Sequence, residues 1–368
     1  TYLLTRNVTK ALSVLMVDFC CALKLAMPIS VLSAIRESNQ HHISVKGGKF
    51  LEAVAEADTI VFDKTGTLTK AQPRVTDVIS FDPERNGDEL LRIAACLEEH
   101  FPHSMAKAVV NAAIEKHLDH EEMHSKVEYI VAHGIATTIG QARVIIGSYH
   151  FVFEDEECKV PEGYEAQFAA LPDDCSLLYL AIDHKLAGVI CIADPLRENT
   201  KDVIRSLKEL GISKIVMMTG DSYKTAESIA AEVGVDEFYA EVLPEDKASF
   251  VEDEKAKGRT VVMVGDGIND SPALSAADVG IAVSDGAQIA REIADIILMR
   301  DDISYLVTLK QISDGLQKRI HWNYKNIVGF NSGLIVLGIL GILQPTTSAL
   351  LHNTSTLLIG LHSMKDVL

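Results

Sequence analysis

The chain has 368 residues, 48% of them hydrophobic and 23% charged, with a formal net charge of −18. This length suggests two or three domains at roughly 150 residues each, and hydrophobicity this high excludes a disordered chain. The acidic balance argues against a nucleic-acid binder, which would carry a basic stripe, and six cysteines without zinc-ribbon spacing form no disulfide framework in a chain this large.

In chain order, residues 11–35 read as a first membrane span, apolar apart from Asp18 and Lys24. Ionisable groups inside a span are costly, and by default they suggest a transport path. Basic residues flank both ends, so the positive-inside rule gives no orientation. A strand is predicted over Thr59–Phe62. Residues 75–190 are richer in acidic residues and His, with hairpin-like pieces at Val127–Ile139, Ala142–Gly147 and Leu177–Ile182. Beyond them, strands at Lys214–Met218, Thr260–Val264, Val279–Val283 and Asp295–Met299 alternate with helices such as Asn199–Leu210 and Tyr223–Val233, which Gly211 and Gly234 terminate. Strands alternating with helices predict a parallel α/β sheet, with 75–190 inserted as an α+β domain. From Asn326 to Met364 there is no Lys, Arg, Asp or Glu, and Gln344-Pro345 divides the stretch. Two further spans, 326–343 and 346–364, are expected there, each about long enough for a bilayer core of ~30 Å.

The chemistry gathers at strand ends. Asp63-Lys64-Thr65-Gly66-Thr67-Leu68-Thr69 follows the first predicted strand. Ligands of parallel sheets sit at the carboxyl ends of strands, so the Asp63 carboxylate is aimed at the crevice, where it can attack a phosphoryl group. Met218-Thr219-Gly220-Asp221 ends a second strand, and its Thr hydroxyl and Gly amide suit phosphoryl oxygens. Gly265-Asp266-Gly267-Ile268-Asn269-Asp270 ends a third. Asp266 and Asp270 are hard oxygen ligands suited to Mg2+. Lys247 is a candidate point charge for the developing phosphoryl negative charge.

With DKTGTLT, TGD and GDGIND in this order, the chain resembles the catalytic half of a heavy-metal-transporting P-type ATPase. The resemblance implies an α/β fold of haloacid dehalogenase type with an inserted nucleotide domain, flanked by transmembrane helices. The implied parts are a membrane segment over 1–46, a phosphorylation domain over 47–74 and 193–318, a nucleotide-binding domain over 75–192 and a helix pair over 319–368. It implies that Asp63 is phosphorylated from ATP, and that Asp63, Asp266 and the Thr65 carbonyl hold magnesium. Lys64, Thr219, Gly220, Asp221, Lys247, Asn269 and Asp270 would complete the phosphoryl site. Asp194-Pro195-Leu196-Arg197 looks like the return from the inserted domain. Phosphatases of this fold commonly carry an Asp two residues after the nucleophile. Here Thr65 stands there, a poor general acid, so the aspartyl phosphate should persist.

The nucleotide site resembles the family less closely. His103 in His100-Phe101-Pro102-His103-Ser104 and the preceding Glu98 would meet the base, with Gly134 and Gly147 at close turns; Ala132 and Ser148 depart from the usual Gly and Asn. In the membrane motif, Phe19-Cys20-Cys21-Ala22-Leu23-Lys24 stands where Cys-Pro-Cys is usual. Adjacent cysteines point ~100° apart on a helix, so both face one ion only if the backbone opens. Asp18 and Cys21 are i,i+3 neighbours, and a thiolate with a carboxylate suits a borderline or harder divalent ion better than a two-thiolate site for copper(I) would. Asp18, Cys20, Cys21 and His352 are therefore the expected ligands of a transported ion. Zinc or manganese leads, and cadmium and cobalt stay open. Lys24 is expected to pair with Asp18 when the site is empty.

No Thr-Gly-Glu actuator motif occurs, so the chain is expected to be an incomplete half that needs an actuator-containing partner to pump. An integral protein of the plasma membrane, embedded in the lipid bilayer, is the expected setting. Two other classes remain open: a membrane-tethered phosphatase of the same fold, and a catalytically silent metal-binding subunit.

Overall fold

A computed structural model describes residues 6–99, 104–118, 128–130, 134–173, 175–266, 270–283 and 292–368. In chain order these form α1 (Val8–Leu15), α2 (Phe19–Gln40), β1 (Ile43–Val45), α3 (Gly48–Glu56), β2 (Thr59–Asp63), β3 (Arg74–Ser80), α4 (Gly87–Glu98), α5 (Ser104–Glu115), β4 (Glu128–Ile130), β5 (Gly134–Ile139), β6 (Ala142–Gly147), α6 (Glu165–Ala169), β7 (Ser176–Ile182) and β8 (Lys185–Ala193). They continue as α7 (Thr200–Glu209), β9 (Lys214–Met218), α8 (Tyr223–Val233), β10 (Glu237–Tyr239), α9 (Pro244–Ala256), β11 (Val261–Gly265), α10 (Ser271–Ala276), β12 (Val279–Val283), β13 (Ile296–Leu298), α11 (Tyr305–Leu340) and α12 (Pro345–Ser363).

Two sheets organise these elements. One runs β1-β13-β12-β11-β2-β9-β10. Its described β9–β10, β11–β12 and β12–β13 ladders are parallel, and β1 joins β13 antiparallel at the edge. β2, β11 and β12 are buried at every position, as expected of strands covered on both faces. The starts of β2, β9 and β11 are tied together: Asp58 donates its N–H to the Thr260 carbonyl, and its own carbonyl accepts from Ser213 and Lys214. The second sheet, β3-β8-β7-β6-β5-β4, is antiparallel throughout, and α4 and α5 pack on one face of it through Leu90, Leu91, Ala94, Leu97 and Val109. This is the α+β insertion expected from the sequence, with Ala142–Gly147 as predicted; the piece Val127–Ile139 lies partly outside the described residues, and beyond the insertion the helix Tyr223–Val233 is as predicted.

The chain divides into two compact units. One comprises Thr1–Val61, Asp202–Lys214 and Pro244–Leu368; the other comprises Phe62–Lys201 and Ile215–Leu243.

The helical segments differ from expectation in two ways. Residues 11–35 are not one helix: α1 ends at Leu15 and α2 starts at Phe19. The break falls at Asp18, whose carboxylate accepts the Cys21 N–H at 3.2 Å and so caps α2. Pro28 sits inside α2 without interrupting it. Further, among the described residues no helix is long and apolar enough to cross a membrane. The reason lies in how the charge-free stretch folds. α11 stops at Gly341, which takes a left-handed φ of 80°, so its apolar end has only Ile327–Leu340 behind the polar Asn323–Asn326 turn. α12 is diluted by Thr, Ser, His352 and Asn353. Gln344 stands at the N-terminal boundary of α12 without a side-chain capping bond, and Pro345 opens the helix where the predicted hairpin turns.

Candidate active site

In the second unit, Asp63 is the last residue of β2 and only 6% exposed. The loop after it leaves the strand tightly. Gly66 takes φ 74°, a conformation that costs a residue with a Cβ. Lys64, buried beside the nucleophile, forms an ion pair with Asp221. The turn at the end of β9 is equally closed: Thr219 is buried, its hydroxyl accepts the Asp221 N–H at 3.1 Å, and its N–H reaches the Tyr239 carbonyl. Gly220 is exposed, with open space where a Cβ would stand. Thr65, two residues after Asp63, is exposed and carries a hydroxyl where a phosphatase of this fold would carry a carboxylate.

The return segment from the insertion does more than connect. The guanidinium of Arg197 donates to the carbonyls of Thr67 at 2.7 Å and Gly66 at 3.1 Å, and its backbone N–H to Leu68 at 2.9 Å. The Thr200 hydroxyl donates to the same Leu68 carbonyl. Asp194 accepts from the Thr69 hydroxyl at 2.5 Å and the Gln72 N–H at 3.0 Å. Every carbonyl from Gly66 to Leu68 is thus held by a buried partner. The sequence signal was present in Asp194–Arg197, but only as a boundary; the bracing is a tertiary contact that spacing does not reveal.

In the first unit, the buried Lys247 of α9 bonds Asp270 Oδ1 at 2.8 Å. Asp270 Oδ2 is fully buried with no hydrogen-bond partner among the described residues. A Cβ at Gly265 would stand 2.5 Å from that oxygen, so glycine is needed for the carboxylate to lie against β11. Asp266 follows immediately, and Asn269 lies outside the described residues.

Of the nucleotide candidates, Glu98 ends α4, 3% exposed, and burial pushes its carboxyl up to about 7. Gly134 and Gly147 face each other in the β5–β6 register. A side chain at Gly134 would strike the Phe151 ring at 2.3 Å and the Ile146 carbonyl at 2.5 Å. His103 lies outside the described residues. A cavity of about 790 Å³ in this unit is lined by Ser148, Tyr149 and Phe168 at one part and by Gly220, Asp221 and Ser222 at another.

Among the helices, Cys21 is exposed in the first turn of α2, and Lys24 is exposed one turn on; the Cys20 side chain lies outside the described atoms. His352 is buried, with Nδ1 3.1 Å from Asn331 Oδ1. Among the described residues no group of three His, Cys, Asp or Glu side chains could hold a metal. Sequence reading passed over Asn323, which is fully buried and donates to the Ser30 and Ser363 hydroxyls at 3.1 and 2.9 Å, tying α2, α11 and α12.

Residues 57–278 match the family of haloacid dehalogenase-like hydrolases. A zinc-exporting P-type ATPase of Mycobacterium marinum is 35% identical over 99% of this chain and 50% of its own length. A manganese-exporting P-type ATPase of Mycobacterium leprae is 34% identical over the same shares. The chain spans about half the length of the curated relatives it matches. Among solved structures, a zinc-transporting PIB-type ATPase in its E2.Pi state superposes with a TM-score of 0.78 at 29% identity, over 95% of this chain and 56% of that one. The catalytic domain of the CPx-ATPase CopB-B superposes with a TM-score of 0.60 at 30% identity, over 76% of this chain and 98% of that one. The chain belongs to the haloacid dehalogenase-like hydrolase family, and along almost its whole length it is homologous to heavy-metal P-type ATPases.

Proposed function

We propose that the chain is the phosphorylated, ATP-binding part of a pump that moves a heavy-metal divalent cation across a membrane. The observation that carries this reading is the burial of Asp63 at the end of β2, on a loop whose carbonyls Arg197 and Thr200 hold. A nucleophile so placed is oriented before substrate arrives, which is where most of phosphoryl-transfer catalysis lies. An Asp63 carboxylate oxygen attacks the γ-phosphorus of ATP. The bond from that phosphorus to the β,γ-bridging oxygen breaks, and ADP leaves with its electron pair. Lys247 and the Thr219–Gly220 turn offset charge on the transferring oxygens. The hard oxygens of Asp63, Asp266 and the Thr65 carbonyl suit magnesium, and Asp270 Oδ2, which has no hydrogen-bond partner among the described residues, is a further buried anionic oxygen that a cation would compensate. Magnesium, when bound, neutralises phosphoryl charge. With Thr65 where a phosphatase would carry its acid, the acyl phosphate lacks a proton donor to speed its hydrolysis.

The cargo is a borderline or harder divalent ion, with zinc or manganese favoured; relatives named zinc-, manganese- and copper-exporting support a metal cargo. Asp18, Cys20, Cys21 and His352 are its proposed ligands. A membrane seat for α2, α11 and α12 is supported by their exposed apolar side chains, among them Leu32, Leu340, Leu350, Leu357 and Leu358. An actuator-bearing partner segment completes the cycle.

The test is acid quenching after exposure to γ-labelled ATP and magnesium. A hydroxylamine-sensitive label is expected, lost in Asp63→Asn. A label that survives that substitution, or none in the presence of an actuator-containing half, overturns the reading. Turnover of the restored assembly against zinc, manganese, cobalt and cadmium identifies the cargo.

A further inference from the structure

Tyr149 follows the Gly147-Ser148 turn and leaves half of its side chain exposed, which is unusual for an aromatic ring built into a core. Its exposure is not looseness. The ring lies 4.8 Å from Phe153 at 35°, and meets the buried Tyr179 edge-on at 5.9 Å and 76°. Phe153 and Phe168 pack edge-on at 5.4 Å, and Phe153 and Tyr179 at 5.5 Å. One side of the Tyr149 ring is therefore fixed by other rings, and Tyr149 lines the cavity of about 790 Å³. That volume falls within the usual range for small-molecule sites. The same cavity is lined by Gly220, Asp221 and Ser222 at the phosphoryl end of β9. A flat apolar platform and a polar end containing a backbone turn are the two features a nucleoside triphosphate needs.

We infer that the purine ring of ATP stacks on Tyr149, which makes Tyr149 the base platform and a determinant of purine over pyrimidine preference. The inference rests on the ATP reading above and deepens it. Stacking of a base on an aromatic side chain strengthens binding by about tenfold or more, as judged by truncation, and larger base faces gain more. The phenol hydroxyl is not required, so ring and hydroxyl contributions separate by substitution.

The experiment uses the full chain with magnesium and a non-hydrolysable ATP analogue, titrated by calorimetry. Tyr149→Phe should bind within about twofold of the parent. Tyr149→Leu, which keeps an apolar side chain over Phe153, should bind about tenfold more weakly, as a loss of 1.4 kcal/mol implies. The corresponding cytidine analogue should lose less, so the purine-to-pyrimidine ratio narrows. Tyr149→Trp adds an indole to a protein whose only other tryptophan is Trp322, and the analogue should quench it saturably. The inference fails if Tyr149→Leu binds as the parent does, if both analogues weaken equally, or if the new indole is indifferent to nucleotide. A parent chain that binds no nucleotide overturns the ATP reading itself, a result distinct from a parent that binds and variants that do not differ.

Discussion

Helix α9 carries a buried charge at each end, and the two are built differently. Its buried face reads Lys247, Val251, Glu254, spaced four and three apart so that all three lie on one side. At the carboxyl end of α9, Glu254 is surrounded by cations: Lys257 at 2.8 Å, Arg259 at 3.2 Å and Lys214 at 3.3 Å. At the amino end, Lys247 bonds one oxygen of Asp270, whose other oxygen has no hydrogen-bond partner among the described residues. The first cluster supplies more positive charge than one carboxylate needs, which is the pattern of a clamp. The second leaves one carboxylate oxygen without a hydrogen bond among the described residues, which is the pattern of a site that a cation completes. Burial alone does not separate the two; the hydrogen bonds their carboxylates make among the described residues do.

The sharpest way to break this contrast is to remove the anion from the clamp. Glu254→Ala leaves Lys214 poorly compensated in a buried place, and should cost about 3–5 kcal/mol of unfolding free energy in denaturant titration. Its pH dependence has a definite sign. Burial raises the Glu254 carboxyl, but hydrogen bonds from Lys257 and Lys214 outweigh it and hold the group below the usual range. Its stabilisation is therefore present above pH 4.5 and is lost as pH falls through the lowered value. Glu254→Gln should remove that acid limb, and an unchanged acid limb would refute the clamp.

Lys247→Met addresses the other end. Phosphoenzyme formation from ATP should fall about 100-fold or more, as when one preorganised electrostatic contact is removed. The double variant Lys247→Met, Asp270→Leu should regain stability relative to either single change without regaining phosphorylation, because an apolar pair can replace a buried ion pair in packing but not in chemistry. Recovery of labelling in the double variant would make the pair merely structural.

Glu98 is a third buried acid, with the opposite pH sign to Glu254. Burial alone raises it from 4.5 to about 7. The folded protein then binds a proton that the unfolded chain releases between those values. Stability is fully present below pH 4.5 and is lost as pH rises through about 7, by up to roughly 3 kcal/mol. Glu98→Gln imitates the protonated form, so its thermal midpoint should stay flat from pH 5 to 8 while that of the parent declines. If the parent also stays flat, burial does not govern this carboxyl.

What the sequence disclosed follows the same division. Asp63, Thr219, Asp266 and Asp270 stood out as candidates because each stands in a short motif after a predicted strand, and Lys247 because of the Leu-Pro-Glu-Asp-Lys run that opens α9; most of the predicted strands agree with the observed ones to within a residue. The sheet order, the bracing by Arg197 and the Glu254 clamp were not legible. The Arg197 partners and the Lys214 of the clamp lie tens of residues or more away, and a lone Arg or Glu in sequence reads as a solvated charge. The helix boundaries were not legible for a different reason. Composition measures how apolar a stretch is, but not where Gly341 ends its helix or Asp18 starts one.

Asp18 supplies the smallest and most discriminating case. It is an exposed charge at a helix end, with one carboxylate oxygen on the Cys21 N–H and no burial to amplify it. A cap of this kind contributes about 1 kcal/mol, and Asn caps as well as Asp. Asp18→Ala should therefore lower stability by that amount, while Asp18→Asn should leave it unchanged. Metal-stimulated turnover in the assembly with an actuator half divides the two roles. A residue that only caps will keep its metal response as Asn, because the hydrogen bond survives. A residue that also coordinates will lose it, because a neutral amide is a far weaker ligand than a carboxylate for a divalent ion. The proposed cargo site requires the second outcome, and an Asp18→Asn chain with full metal response would leave Asp18 with the helix-end role alone.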